Sequence, residues 1–148
     1  MARDFDIIIW GATGFTGQLV ARYLCSEFGV GDDVRWAIAG RNELKLGQLR
    51  EQLASIDPSA TGLPLLVADS HDSESLAALA KRTRVILTTV GPYAQYGSAL
   101  VAACIEHGAD YVDLTGETPF VHEMITRHHD AANKRGRRIV HCCGYDSM

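Results

Sequence analysis

Apolar positions along the chain follow two alternating spacings. Short, nearly continuous apolar runs predict strands that are covered on both faces of a sheet. Between these runs, apolar residues recur every three or four positions, which predicts helices. The runs that predict strands are residues 5–10, 34–39, 63–68, 85–90, 111–114 and 138–143. The segments that predict helices are residues 15–24, 46–53, 73–82, 100–105 and 121–128.

Glycines and a polar cap mark where these helices end and begin. Gly29, Gly108 and Gly136 follow the first, fourth and fifth helical patterns and predict their ends. Asp72 or Ser73 is the predicted cap at the start of the third helix. Strands and helices therefore alternate along the whole chain, which favours an α/β fold.

Six strands joined by five helices predict a doubly wound parallel sheet of the Rossmann type. Because crossovers between parallel strands are right-handed, we expect the strand order 3-2-1-4-5-6. The chain has 148 residues, of which 47% are hydrophobic. That length fits one domain, so we expect residues 1–148 to form a single NAD(P)-binding domain.

A glycine-rich turn separates the first strand from the first helix. Gly11, Gly14 and Gly17 are spaced by three positions directly after the apolar run. Such a turn points backbone N–H groups and the positive end of a helix at one place, where a diphosphate can bind. The turn therefore predicts a dinucleotide cofactor.

The end of the second strand indicates which dinucleotide binds. NAD-dependent enzymes commonly place a carboxylate there, whereas this chain has Gly40 and Arg41. A guanidinium matches the 2′-phosphate of NADP, so we expect NADP; the alternative is an exposed arginine at the start of a helix. Lys45, one helical turn later, either adds a second positive charge or is merely solvated.

Two further strand ends offer candidate cofactor contacts. After the third strand, Asp69 can accept a hydrogen bond from the adenine amino group with Ser70 beside it, or Asp69 can simply cap the following helix. After the fourth strand, Gly91 allows close approach of the cofactor to the backbone. Tyr93 and Tyr96 then either contact the cofactor or pack in the core.

Polar residues gather at the carboxyl ends of the fifth and sixth strands. They are Asp113, Thr115, Glu117, Tyr145 and Asp146. A catalytic acid can lie among them, but turn bonding and helix capping are the favoured interpretation for Asp113 and Thr115. Glu117 also suits the positive end of the fifth helix. We therefore assign no catalytic residue.

Charge and cysteine content narrow the classes of partner. The net charge of −4 gives no reason to expect nucleic acid or an anionic membrane surface. The densest basic group, residues 134–138, is interpreted as a solvated helix end rather than a binding patch. The four cysteines have no CxxC spacing, so we expect buried, reduced thiols in a cytoplasmic protein and no metal site.

Five motifs, in this order, resemble the saccharopine dehydrogenase-like oxidoreductases. They are GATGFTG at 11–17, AGRN at 39–42, VGPY at 90–93, YVDLTGE at 111–117 and CGYDS at 143–147. Within that family, the chain is most similar to the bacterial trans-acting enoyl reductases. The resemblance implies an oxidoreductase that transfers hydride from NADPH to a carbon–carbon double bond of a lipid-like precursor. The cofactor residues that it implies are Gly11, Thr13, Gly14, Phe15, Thr16, Gly17, Arg41 and Gly91.

The resemblance also implies a partner domain for the substrate. Members of the family are longer and carry a second α/β domain after the last motif, where this sequence ends. We therefore expect a piece of a longer protein or a truncated product, inactive by itself, whose small-molecule or lipid-like substrate is held by that second domain. Without it, an apolar face would be uncovered, so a homodimer is a further expectation.

A non-catalytic alternative stays open at this point. Short-chain dehydrogenases move a proton with a tyrosine and a lysine four residues later, and no tyrosine of this chain has such a lysine. Together with the missing substrate domain, this favours an NADP-binding sensor of the atypical short-chain dehydrogenase type as the second interpretation.

Overall fold

The computed structural model describes residues 2–144. Tyr145 and Asp146, two of the predicted rim residues, lie outside this range. The strands are β1 Phe5–Trp10, β2 Trp36–Gly40, β3 Leu65–Val67, β4 Thr83–Thr88, β5 Asp110–Asp113 and β6 Ile139–Val140. The helices are α1 Phe15–Phe28, α2 Glu43–Ala54, α3 Ser73–Arg82, α4 Tyr93–Tyr96, α5 Ser98–His107 and α6 Thr118–Lys134.

All six strands form one sheet whose order is β3-β2-β1-β4-β5-β6. Every neighbouring pair is parallel. Both findings confirm the predicted doubly wound Rossmann fold. The chain reverses its direction of travel across the sheet between β1 and β4, and ligands bind above the carboxyl ends of the strands at such a point.

Two hydrophobic cores cover the two faces of this sheet. Ile8 and Ile9 are fully buried neighbours on β1 whose side chains point to opposite faces, so one strand contributes to both cores. Ile8 packs with residues of α3, α5 and α6, and Ile9 packs with residues of α1 and α2. Because β1 is covered on both sides, its sequence is a continuous apolar run rather than an alternating one.

The last strand is shorter than predicted. Residues 138–143 were expected to be extended, but β6 ends at Val140. Cys142 has φ +61°, and the N–H groups of Cys142 and Cys143 bind the side chain and the carbonyl of Asp113 at 3.2 and 2.7 Å. These bonds turn the chain away from the sheet. Cys142 and Cys143 are therefore exposed, whereas Cys25 and Cys104 are buried as predicted.

Two short helices were not predicted. A 3-10 helix, Pro58–Gly62, is capped by Asp57, whose carboxylate accepts a hydrogen bond from Ser59 N–H. Helix α4 has only four residues, too few to show a period. Within residues 2–144, no helix combines the length and the apolar character that a membrane span requires.

Candidate functional site

The glycine turn between β1 and α1 is fixed by hydrogen bonds to β2. The N–H groups of Gly11 and Ala12 both donate to the carbonyl of Ala39, at 3.1 and 3.2 Å. Gly11 has φ +84°, and a Cβ there would lie 2.5 Å from a methyl group of Val90. Only glycine fits this position without displacing its neighbours, so the turn is built as the sequence predicted.

The start of α1 presents unsatisfied backbone donors. Gly14 is its N-cap and offers no side-chain cap. The first N–H to reach an acceptor is that of Gln18, which donates to Gly14. In the part of the chain that the structure describes, the N–H groups of Phe15, Thr16 and Gly17 have no acceptor. They provide the donors that a diphosphate needs.

Gly17 brings α1 against the turn. A Cβ at this position would lie 2.1 Å from the Gly11 carbonyl oxygen and 2.8 Å from the Ala12 Cα. Backbone atoms cannot yield to such a collision, so a side chain would push the helix away from β1. The third glycine of the motif therefore sets the distance between the helix N-terminus and the site.

A cleft of about 410 Å³ opens above the carboxyl ends of β1, β2 and β4. Half of the predicted cofactor residues line it, and Tyr96 lines it as well. Those residues are Gly11, Thr13, Gly14, Arg41, Ser70 and Gly91. The predicted residues thus converge from the ends of β1, β2, β3 and β4 on one cavity at the switch point.

Arg41 is exposed and lies at the rim of this cleft, directly after β2. The chain has eleven arginines, all within residues 2–144. Ten of them donate hydrogen bonds to, or form ion pairs with, other protein groups. Among the arginines of residues 2–144, Arg41 alone forms neither a hydrogen bond nor an ion pair with a protein group. Its guanidinium is available to an anion in the cleft.

Lys45 and Asp69 lie beside the cleft rather than in its lining. Lys45 lines a neighbouring groove between α1 and α2 that also contacts Thr13. The Asp69 carboxylate accepts a hydrogen bond from His71 N–H at 2.8 Å. Asp69 does not cap α3: that role belongs to Asp72, which accepts a hydrogen bond from Glu74 N–H.

Tyr93 is buried, and its ring packs against Phe120 with 6.0 Å between ring centroids. Its hydroxyl donates to the Thr88 carbonyl at 3.3 Å, and burial raises its pKa to about 12. This is the core-packing alternative that the sequence left open. The tyrosine that faces the cleft is Tyr96, whose ring stacks edge-on with His71 at 5.6 Å.

The polar rim beyond β5 is a hydrogen-bonded network centred on Asp113. The buried Asp113 carboxylate accepts bonds from Tyr111 Oη at 2.7 Å, Thr115 N–H at 3.1 Å and Cys142 N–H at 3.2 Å. Thr115 in turn accepts a bond from Glu117 N–H. These contacts confirm turn bonding as the role of Asp113 and Thr115.

His141 completes this network and was not predicted. Its Nδ1 lies 2.7 Å from Asp113 Oδ2, and because a carboxylate can only accept, Nδ1 carries the hydrogen. The strand predicted over residues 138–143 would hold His141 in its interior, whereas β6 ends at Val140. The signal that would have found it is a pair of polar residues at neighbouring strand ends, because Asp113 is the last residue of β5 and His141 directly follows β6.

The ionisation of the network follows from its hydrogen bonds. Burial raises the pKa of Asp113, but bonds from His141, Tyr111 and Thr115 outweigh burial and lower that pKa below its ordinary value. Burial and the adjacent Asp113 charge raise the pKa of Tyr111. Asp113 is therefore an anionic acceptor near neutral pH and has no proton to donate.

Glu117 joins this rim to the cleft. It is the N-cap of α6, and its carboxylate accepts hydrogen bonds from the N–H groups of Tyr93 and Ala94 at 2.6 and 3.2 Å. The carboxylate thus caps α4, which follows the Gly91 turn. Glu117, at the start of α6, therefore caps a different helix that lies more than twenty residues earlier in the chain.

The chain is similar to two curated proteins named trans-acting enoyl reductase. The protein of Mycobacterium leprae is 47% identical over 147 residues, and that of Mycobacterium tuberculosis is 45% identical over 146. Each alignment covers 99% of this chain and 34% of the relative. The chain therefore spans about one third of the length of the curated relatives that it matches.

Solved structures share the fold at lower identity. Apo saccharopine dehydrogenase (L-Glu forming) from Saccharomyces cerevisiae matches with a TM-score of 0.70 and 19% identity, over 94% of this chain and 27% of that one. The structure named AtPrR2 with NADP+ and (+)pinoresinol matches with a TM-score of 0.56 and 16% identity, over 93% and 48%.

The region that matches a known protein family includes nearly the whole sheet. Residues 7–140 match the family described as the saccharopine dehydrogenase NADP binding domain. The matched range begins in β1 and ends with β6, so it includes the glycine turn, Arg41 and the Gly91 turn. The chain therefore belongs to the saccharopine dehydrogenase NADP-binding domain family, and its cofactor is NADP.

Proposed function

We propose that this chain is the NADPH-binding part of an enoyl reductase, in which the bound cofactor delivers hydride to a carbon–carbon double bond. The name of the similar mycobacterial proteins supports this reaction. The cofactor supplies the hydride, and the residues of this chain bind it and set its position. In this proposal, Gly11, Gly14 and the start of α1 hold the diphosphate.

Arg41 carries the proposal. Of the arginines in residues 2–144, Arg41 is the one whose guanidinium has no protein partner. It borders the cleft that the glycine turn also lines. A free guanidinium at this position suits the 2′-phosphate, with two parallel charged hydrogen bonds. We further propose that Ser70 and Tyr96 border the adenosine, and that Lys45 and Asp69 contribute only from the margin.

The test is calorimetric titration of NADPH and NADH into the wild type and Arg41→Gln. We expect the substitution to weaken NADPH binding roughly ten- to hundredfold, because charged hydrogen bonds contribute about 1.5–3 kcal/mol. NADH affinity is expected to stay unchanged. Arg22→Gln, which removes an exposed arginine of α1, is the matched control. Equal loss for both cofactors would contradict the assignment of Arg41 to the 2′-phosphate.

We propose that the substrate is bound by the part of the relatives that this chain does not match. Turnover then distinguishes the reductase from the sensor interpretation. The corresponding full-length protein is expected to oxidise NADPH when given an enoyl thioester. Tight NADPH binding without any oxidation would instead favour the sensor.

We also infer that this chain associates with a second copy through α1. Phe15, Leu19 and Tyr23 are spaced by four residues, lie on one face of the helix and are each more than half exposed. This apolar stripe supports the expected homodimer. The free thiols of all four cysteines support a cytoplasmic location, where thiols stay reduced.

A further inference from the structure

A second cleft, of about 670 Å³, lies at the amino-terminal edge of the sheet, where the strands begin. It borders the amino-terminal ends of β4, β5 and β6, whereas the cofactor cleft lies at the carboxyl ends. Five arginines and two carboxylates line it, a net charge of +3 on a chain whose total is −4. The arginines are Arg3, Arg84, Arg135, Arg137 and Arg138.

Three of these arginines are held by helix ends. Helices run opposite to the strands, so their negative carboxyl ends collect at this edge. Arg3 donates to the carbonyls of Ala80 and His107, at 3.1 and 2.7 Å. Arg135 and Arg137 donate to carbonyls at the end of α5, at 2.8 and 2.9 Å. Residues 134–138 are thus not simply a solvated helix end, as the sequence suggested.

The other two arginines have no such structural role. The side chains of Arg84 and Arg138 are 72% and 82% exposed. Each forms one surface ion pair, with Asp6 at 3.5 Å and with Asp110 at 3.3 Å respectively. Their carboxylate partners are only 24% and 17% exposed, but a guanidinium has five N–H donors, so the solvent-facing donors of both arginines can bind an incoming carboxylate without displacing Asp6 or Asp110.

We propose that this arginine cleft binds a short acidic segment of a partner protein. Guanidinium forks match carboxylates in shape and charge, and three of the five are already fixed by carbonyl oxygens. Outside the cleft, the remaining residues carry a net negative charge. A longer polyanion would be repelled there, which disfavours nucleic acid and an anionic membrane as the occupant.

The position of the cleft makes this binding independent of the cofactor. The two clefts lie at opposite ends of the strands of one parallel sheet, and no residue lines both. A partner bound at the amino-terminal edge therefore leaves the glycine turn and Arg41 accessible. Docking and cofactor binding are expected to occur together.

The test is fluorescence anisotropy of labelled hexaglutamate titrated with the 148-residue chain at low salt. Binding is expected to weaken as salt is added and to be absent for hexaglutamine. Arg84→Gln with Arg138→Gln should weaken it roughly tenfold, whereas the control Arg127→Gln, on α6, should not. Saturating NADPH should leave the affinity unchanged.

Several results would overturn the proposal. One is a double variant that binds hexaglutamate as tightly as the wild type does, and another is competition between NADPH and hexaglutamate. A third is binding of an oligothymidylate or of phosphatidylglycerol vesicles that is tighter than that of hexaglutamate and is abolished in the double variant. Circular dichroism checks that the variant is folded. Should it not fold, Arg84→Lys with Arg138→Lys keeps both charges and removes the forks. This second variant is expected to bind hexaglutamate more weakly than the wild type, and equal binding would reject the proposal.

Discussion

Asp113 shows how one buried carboxylate can organise the end of a strand. It accepts hydrogen bonds from Tyr111, Thr115, His141 and Cys142, and its side chain is fully buried. A buried charge is tolerated only when it is bonded in this way. The network therefore stabilises the protein only while Asp113 stays ionised.

Asp113→Asn is expected to lower the free energy of unfolding at pH 7 by about 1–3 kcal/mol, because charged acceptors are lost. The folded pKa of Asp113 is lowered, so its stabilisation is present above the unfolded pKa of about 3.9 and is lost as pH falls through the folded pKa. Urea unfolding at pH 7, 5 and 3 should show the two proteins converge at low pH.

The control for this prediction is Asp130→Asn, at an exposed position on α6. It is expected to change unfolding little at any of the three pH values. A difference between wild type and Asp113→Asn that stays constant down to pH 3 would show that the carboxylate charge is not the cause.

The packing of α1 against the glycine turn makes an element-level prediction. Gly17→Ala is expected to cost about 1–3 kcal/mol of unfolding free energy, because its Cβ would meet backbone atoms at 2.1 and 2.8 Å. It is also expected to weaken NADPH binding, since the helix N-terminus moves. Thermal unfolding and calorimetric titration measure the two effects.

Gly47→Ala in α2 is the matched control. A Cβ at Gly47 would meet no atom within 4 Å apart from its chain neighbours and the backbone of its own helix, so the gain in helix propensity, about 0.5–1 kcal/mol, should appear alone. The two substitutions share that gain, so their difference isolates the collision at Gly17. Equal stability of the two variants would contradict the close approach of α1.

Elements that carry a strong period were predictable from the sequence, and those fixed by distant contacts were not. The α3 range agrees with its prediction, because Asp72, an apolar spacing and the following strand all mark it locally. Helix α4 was not predicted, because the side chain that caps it belongs to Glu117, over twenty residues away. The end of β6 was predicted wrongly, because hydrogen bonds to Asp113, on another strand, turn the chain there.

The cofactor site divides in the same way. The position of Gly11 and Arg41 at the cleft was predictable because a turn and a strand end place them there locally. Tyr93 and Tyr96 were indistinguishable in sequence, since both follow the Gly91 turn. Which of them is buried depends on Phe120 of α6, whose ring packs against that of Tyr93. His141 depended likewise on tertiary structure.

For the molecule as a whole, the apolar stripe on α1 predicts self-association. Light scattering after size exclusion is expected to show a dimer at high concentration, and Leu19→Glu is expected to give a monomer, because a charge would be buried in the interface. Leu44→Glu, at a leucine of α2 that is 75% exposed against 51% for Leu19, should leave the dimer intact. A wild-type chain that stays monomeric at all concentrations would contradict this prediction.

The Glu117 carboxylate has a kinetic consequence. By holding the first N–H groups of α4, it ties the backbone beside Gly91 to α6 before any dinucleotide arrives. A wall that is already ordered does not lose conformational entropy on association. Encounter with NADPH should then proceed without a slow rearrangement, and differences in affinity among cofactor analogues should arise in their dissociation rates.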